Sequence, residues 1–184
     1  MGIRKIKKAV FLDRDGVLNK TYRRGDKRHP PSSPKDLVIL PGVPGACRKL
    51  RNAKWLLIMV TNQPDVTRGL QQRKMIEAIN EILRRRLRLD DIHVCYHDDQ
   101  DHCSCRKPAP GLLLAACDKW DLDLASSVMV GDRWKDIEAG RQAGCRTILI
   151  DNPYAQAERC HPDHRASSLP EATNWILSQS KSKL

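Results

Sequence analysis

Aromatic side chains are scarce in this chain, with a single phenylalanine and 4% of residues aromatic in all. That leaves little material for stacking bases, so nucleic acid is an unfavoured partner. No apolar run approaches the roughly 20 residues that cross a bilayer, which argues against an integral membrane protein. The apolar part of the opening MGIRKIKKAVFLD is far shorter than a signal-peptide core and stops at an aspartate. Ile6 stands where a myristoylation motif wants Ser or Thr. Neither a leader nor a lipid anchor is expected, and the expected setting is the cytoplasm. No internal repeat, low-complexity tract or linker breaks the 184 residues, so one domain over 1–184 is expected. No long apolar surface stripe asks for a second copy, which makes a monomer the default. Acidic residues are the minority charge, 22 against 33 Lys and Arg, for a formal net charge of +11. The excess, gathered at Arg4 to Lys8, Arg23 to Arg28, Arg84 to Arg88 and Lys181/Lys183, favours anionic partners.

Apolar runs alternate between two periods. AVFLD (9–13), WLLIMVTNQ (55–63), HVCYH (93–97), SVMVGD (127–132) and RTILID (146–151) read as buried strands. Between them lie helical patterns: 43–53, 73–87 with apolar residues at Met75, Ile76, Ile79, Ile82, Leu83 and Leu87, Pro110 to about Trp120, and a stretch closed by Gly144. A last short helix is predicted over 170–177, and the Pro-rich 20–36 segment reads as a loop. Strands joined by helices need crossover connections. The expected fold is therefore α/β: a Rossmann-like three-layer α/β/α sandwich around a parallel sheet.

Three of those strands end abruptly in polar residues: Asp13-Arg-Asp15-Gly16, Thr61-Asn62-Gln63 and Gly131-Asp132-Arg133. A fourth polar piece, Arg106-Lys107, precedes a helix. The carboxyl edge of a parallel sheet is where ligands bind, and four separate elements can converge there. In extended chain, Asp13 and Asp15 face one side.

This set resembles the haloacid dehalogenase superfamily of phosphotransferases, with Asp13-x-Asp15, Thr61, Lys107 and Gly131-Asp132 with Asp136 matching its motifs over residues 9 to 151. The resemblance implies a Mg²⁺-dependent phosphatase without a large cap. Asp13 would be the nucleophile, Asp15 the acid and base, and Thr61 and Lys107 the partners of the phosphoryl group. Mg²⁺ would sit at Asp13, Asp15 and Asp132, with Asp136 either a further partner of the metal or a helix-start residue. Asn19, Asn62, Gln63, Arg106 and Arg133 would contact substrate. The chemistry agrees: a carboxylate approaches a doubly negative phosphate monoester only where cations offset the repulsion.

Seven cysteines, an odd number without a secretory leader, fit reduced thiols better than a disulfide framework. Cys47, Cys117 and Cys145 lie on apolar faces and read as packing. In CYHDDQDHCSC, by contrast, Cys95 and His97, then Cys103 and Cys105, are paired one residue apart. Three thiolates and an imidazole make a closed tetrahedral set for Zn²⁺, with His93 and His102 as possible substitutes for His97. The spacing resembles the zinc loop of histidinol-phosphate and heptose-bisphosphate phosphatases within the same superfamily. It implies a small phosphorylated sugar as substrate, in a site rimmed by the 20–36 loop and the zinc loop 95–105. Three features depart from that pattern: a basic, Pro-rich 20–36 loop, Pro64-Asp65 where Ser-Gly is common, and Arg133 where a lysine is common. The alternatives are a histidinol-phosphate phosphatase, a polynucleotide 3′-phosphatase, and a non-enzymatic zinc-stabilised module that binds anions.

Overall fold

The computed structural model describes residues 7–25, 27–152 and 159–179. The basic residues before Lys7 and the Lys181/Lys183 tail lie outside them. In chain order the elements are β1 (Ala9–Leu12), β2 (Tyr22–Arg24), β3 (Lys27–His29), α1 (Val43–Asn52), β4 (Leu56–Asn62), α2 (Arg73–Leu87), β5 (Asp91–Cys95), α3 (Gly111–Trp120), β6 (Val128–Gly131), α4 (Trp134–Gln142), β7 (Arg146–Ile150), β8 (His164–Ala166) and α5 (Leu169–Gln179).

Six strands form one sheet in the order β5-β4-β1-β6-β7-β8, every neighbouring pair parallel. Alternate residues divide its two faces. Val10, Leu12, Leu57, Met59, Val128 and Val130 pack against α1, α2 and α5. Ala9, Phe11, Ile58, Val60 and Met129 pack against α3 and α4. Both faces are thus covered, which is why these strands read as continuous apolar runs. The chain starts in the middle of the sheet, builds outward through β4 and β5, then returns to build β6, β7 and β8 on the other side. That reversal leaves a crevice at the carboxyl end of β1.

The expected architecture is present, with three local differences. The 20–36 segment is not a plain loop: β2 and β3 pair as an antiparallel hairpin and a 3₁₀ turn follows at Pro34–Asp36. Its strands are too short and polar to show a period. The third strand runs Asp91–Cys95 instead of 93–97, and a sixth strand, His164–Ala166, joins the edge of β7. With three residues and two polar side chains, β8 carries no alternation to read. Cys47 and Cys145 are buried, whereas Cys117 is only partly so, its thiol donating to the Leu122 carbonyl at 3.2 Å.

Candidate active site and metal centres

The register of the central strands sets the site. Leu12 is level with Met59 on β4 and with Val130 on β6, so Asp13 and Asp132, just past the ends of their strands, and Thr61, next to last in β4, lie at the same edge of three adjacent strands. Lys107 enters from the segment before α3. Its buried ammonium donates to Asp13 Oδ1 at 2.7 Å and to the Val60 carbonyl at 2.9 Å, and lies 2.5 Å from Asp136 Oδ1. Asp136, in the first turn of α4, also accepts the Arg133 backbone N–H, and Gly131 leaves the space its side chain occupies, since a Cβ there would meet Asp136 Cβ at 2.0 Å.

The carboxylates of Asp13, Asp132 and Asp136 come within ligand distance of one another. Burial pushes Asp13 up to about 6; Lys107 opposes the shift, while Asp136 and Asp15 add to it. Burial and the charges of Asp13 and Asp136 push Asp132 well above the usual carboxylate range. Burial alone would lower Lys107, but Asp13 and Asp136 hold its ammonium protonated, above the ordinary lysine value. Three carboxylates facing one lysine leave an excess of negative charge, and buried Asp132 Oδ1 has no hydrogen-bond partner. A hard divalent cation fits such an oxygen set.

The Asp15 side chain is not in that trio, whose third carboxylate comes from Asp136; the expectation of Asp15 beside Asp13 and Asp132 leaves its backbone carbonyl as the donor. The Asp15 carboxylate is instead taken up by Arg14, Asn19 and Gln63. Burial by itself would raise it, yet the Arg14 guanidinium and these hydrogen bonds hold it below its ordinary value. Three of the expected substrate contacts, Asn19, Asn62 and Gln63, have partners inside the protein. Asn19 is fully buried and donates to Asp15 Oδ1 at 2.9 Å. Asn62 clasps the Lys107 backbone in both directions, donating to its carbonyl at 3.0 Å and accepting its N–H at 3.2 Å. Gln63 bridges Asp15 and Thr61, at 2.8 and 2.9 Å.

Above this floor opens a cavity of about 650 Å³, lined by Asp13, Asp15, Thr61, Asn62, Gln63 and Lys107 below. Its rim is basic. Arg28 and His29 come from the β2–β3 hairpin, Arg68 from the segment after β4, Arg106 from the segment after β5, and Arg133 and Lys135 from the start of α4. Arg106 is anchored by Asp99 at 2.7 Å and by the His97 carbonyl at 3.2 Å, and Lys135 reaches the same Asp99 oxygen at 3.3 Å. The 20–36 segment was expected at the rim and supplies Arg28 and His29, although its hairpin form was not expected; Arg68 and Lys135 were not singled out in the sequence.

Cys95, His97, Cys103 and Cys105 form a second cluster. Five of the six separations among their sulfur and Nδ1 atoms run from 3.3 to 3.8 Å. A zinc ion about 2.3 Å from each sulfur sets the edges of its tetrahedron at about 3.8 Å, so these side chains fit that ion. Neither substitute is there: His93 Nε2 turns to Asp91 at 3.0 Å, and the exposed His102 lies outside the cluster.

Residues 104–172 match the HAD-hydrolase-like family model. The chain is 36% identical to D-glycero-beta-D-manno-heptose-1,7-bisphosphate 7-phosphatase of Bordetella bronchiseptica over 148 residues, 78% of this chain and 80% of that one. It is 34% identical to the D-glycero-alpha-D-manno-heptose-1,7-bisphosphate 7-phosphatase of Campylobacter jejuni over 150 residues, 79% of this chain and 83% of the relative. Among solved structures, the D,D-heptose 1,7-bisphosphate phosphatase of B. bronchiseptica, complexed with magnesium and phosphate, superposes with a TM-score of 0.83 at 32% identity. The match covers 94% of this chain and 99% of that one.

Proposed function

The chain belongs to the heptose-bisphosphate phosphatase family of the haloacid dehalogenase superfamily, and we propose that it removes the C7 phosphate of D-glycero-D-manno-heptose 1,7-bisphosphate. One observation carries the reading: the Lys107 ammonium lodged between Asp13 and Asp136, with Asp132 beside them, under a cation-rimmed cavity.

An Asp13 oxygen attacks phosphorus as the bond from phosphorus to the C7 oxygen breaks, and Asp15 gives that oxygen its proton. Water then attacks the aspartyl-phosphate, Asp15 takes the proton back, and Asp13 and inorganic phosphate separate. Lys107 offsets charge on the phosphoryl oxygens, and Thr61 donates a hydrogen bond to one of them. Asp13, Asp132 and Asp136 would hold Mg²⁺, which when bound supplies the positive charge that lets a carboxylate meet a dianion. Cys95, His97, Cys103 and Cys105 would hold Zn²⁺ with no open position, so its role is structural. The zinc loop then fixes Arg106, through the His97 carbonyl, and the adjoining Lys107. Arg106 and the other rim cations face the second phosphate of a bisphosphate, a match that a monophosphate such as histidinol phosphate does not use.

Phosphate release from heptose bisphosphate, histidinol phosphate and a 3′-phosphorylated oligonucleotide, measured side by side with Mg²⁺, tests the proposal. The sugar bisphosphate should be turned over fastest, and Asp13→Asn should lose about 10⁴-fold or more, the scale expected for losing a nucleophile. Turnover surviving in Asp13→Asn, or preference for either other substrate, would overturn it.

A further inference from the structure

Asp15 has to give one proton and take one back, and its two oxygens are not equivalent. Arg14, between the two catalytic aspartates in the chain, is fully buried. Its Nε and Nη2 donate to Asp15 Oδ2 at 3.1 and 2.9 Å, and Gln63 Nε2 donates to the same oxygen at 2.8 Å. Three donors exhaust what a carboxylate oxygen can accept. Oδ1 receives Asn19 Nδ2 alone and keeps acceptor capacity, and the Asp15 side chain retains 14% exposure toward the cavity it lines. The remaining arm of the guanidinium, Nη1, donates to Asn80 Oδ1 at 3.0 Å. Asn80 is a buried polar residue on the face of α2 that otherwise presents Ile76, Ile79 and Leu83 to the core. An unpaired amide there would be costly, and an apolar residue would pack without it. The Asn80 amide is accounted for by its grip on Arg14.

We propose that Arg14 and Asn80 are positioning residues for the acid–base step: the guanidinium, anchored on α2, occupies Asp15 Oδ2 and turns the carboxylate so that Oδ1 exchanges the proton. This rests on the phosphatase reading above. The proton leaves Oδ1 for the C7 oxygen as its bond to phosphorus breaks, and returns to Oδ1 from the water that attacks the aspartyl-phosphate. Neither positioning residue touches substrate; Asn80 is not among the residues lining the cavity.

The leaving group provides a test that general damage to the site would not mimic. The C7 alkoxide needs a proton as it departs, whereas nitrophenolate does not. In Asn80→Leu and Arg14→Lys, kcat/KM for heptose bisphosphate should fall about a hundredfold, the lower end of what an acid–base group contributes. The kcat/KM for 4-nitrophenyl phosphate should stay within about threefold of wild type, because it reports only steps up to aspartyl-phosphate formation. Hydrolysis of that intermediate still needs the base, so these variants should show a burst of one nitrophenolate per site. Asn80→Asp, which keeps an acceptor for Nη1, should restore most of the activity on the sugar. Equal losses on both substrates, or no loss on either, would overturn the inference while leaving the phosphatase reading intact. A wild-type protein that hydrolyses neither substrate would overturn both. Should Asn80→Leu not fold, Arg14→Lys decides the matter.

Discussion

Gly16 shows how closely single residues are set against one another at the site. Its φ of +95° is one that side chains rarely adopt, and a Cβ there would lie 2.2 Å from Asp132 Oδ2. Gly16→Ala therefore combines backbone strain with displacement of a carboxylate that is proposed to hold Mg²⁺. We expect a loss of about 1 to 3 kcal/mol in urea unfolding and a clear rise in the Mg²⁺ concentration giving half-maximal activity. A variant with unchanged Mg²⁺ dependence would show that Asp132 has room to move. At this scale the sequence was legible where chemistry coincides with the end of a strand. Asp13, Thr61 and Asp132 each follow an apolar run, so their common edge could be read without coordinates. Asn19 and Asn62 were expected to contact substrate, but the partners they have in the structure, Asp15 and the Lys107 backbone, are fixed by tertiary contact and leave no periodic trace. Arg14 and Asn80 are 66 positions apart, and nothing local joins them.

Between elements, polar ties hold the site's supports in register. Asp91 opens β5, the strand that ends in the zinc-loop cysteine Cys95, and it accepts from Lys119 and Trp120 at the end of α3, the helix that begins just after Lys107. Burial alone would raise Asp91. Hydrogen bonds from Lys119, Trp120, the Ile92 N–H and His93 outweigh it and hold the group at about 2, against an ordinary value of 3.8. A carboxylate depressed on folding adds stability above its unfolded value and loses it as pH falls through the folded one. The Asp91 contribution should accordingly be present at pH 7 and drain away between about pH 4 and pH 2. Asp91→Ala should cost about 1 to 2 kcal/mol in urea unfolding at pH 7, with a smaller difference from wild type at pH 3. A difference that stays constant or grows on acidification would remove the charge of Asp91 from the account. Helices and long strands were readable because each has an apolar face to bury. The β2–β3 hairpin and β8 were not, since short polar strands are held by backbone pairing and by neighbours distant in sequence.

For the molecule as a whole, the order of strands and the distribution of charge act together. The sheet turns back at β1, which gathers the candidate catalytic carboxylates at one edge, and the segments leaving that edge carry Arg28, Arg68, Arg106, Arg133 and Lys135 to the cavity mouth. Several of these cations have carboxylate partners: Arg68 meets Asp98 and Asp65, while Arg106 and Lys135 share Asp99. The pairs orient the side chains, yet the chain still carries a net +11, so an approaching bisphosphate is drawn by more than its immediate contacts. Salt shortens the reach of that field, with a Debye length of about 10 Å at 0.1 M and about 3 Å at 1 M. Between those ionic strengths kcat/KM for the sugar bisphosphate should fall about tenfold or more, while kcat, which begins from bound substrate, changes little. A sugar monophosphate should show a shallower slope because it carries one phosphate fewer. Equal slopes for the two substrates would mean that the rim does not sense the second phosphate, and the preference for a bisphosphate would then have to arise at the sheet edge itself.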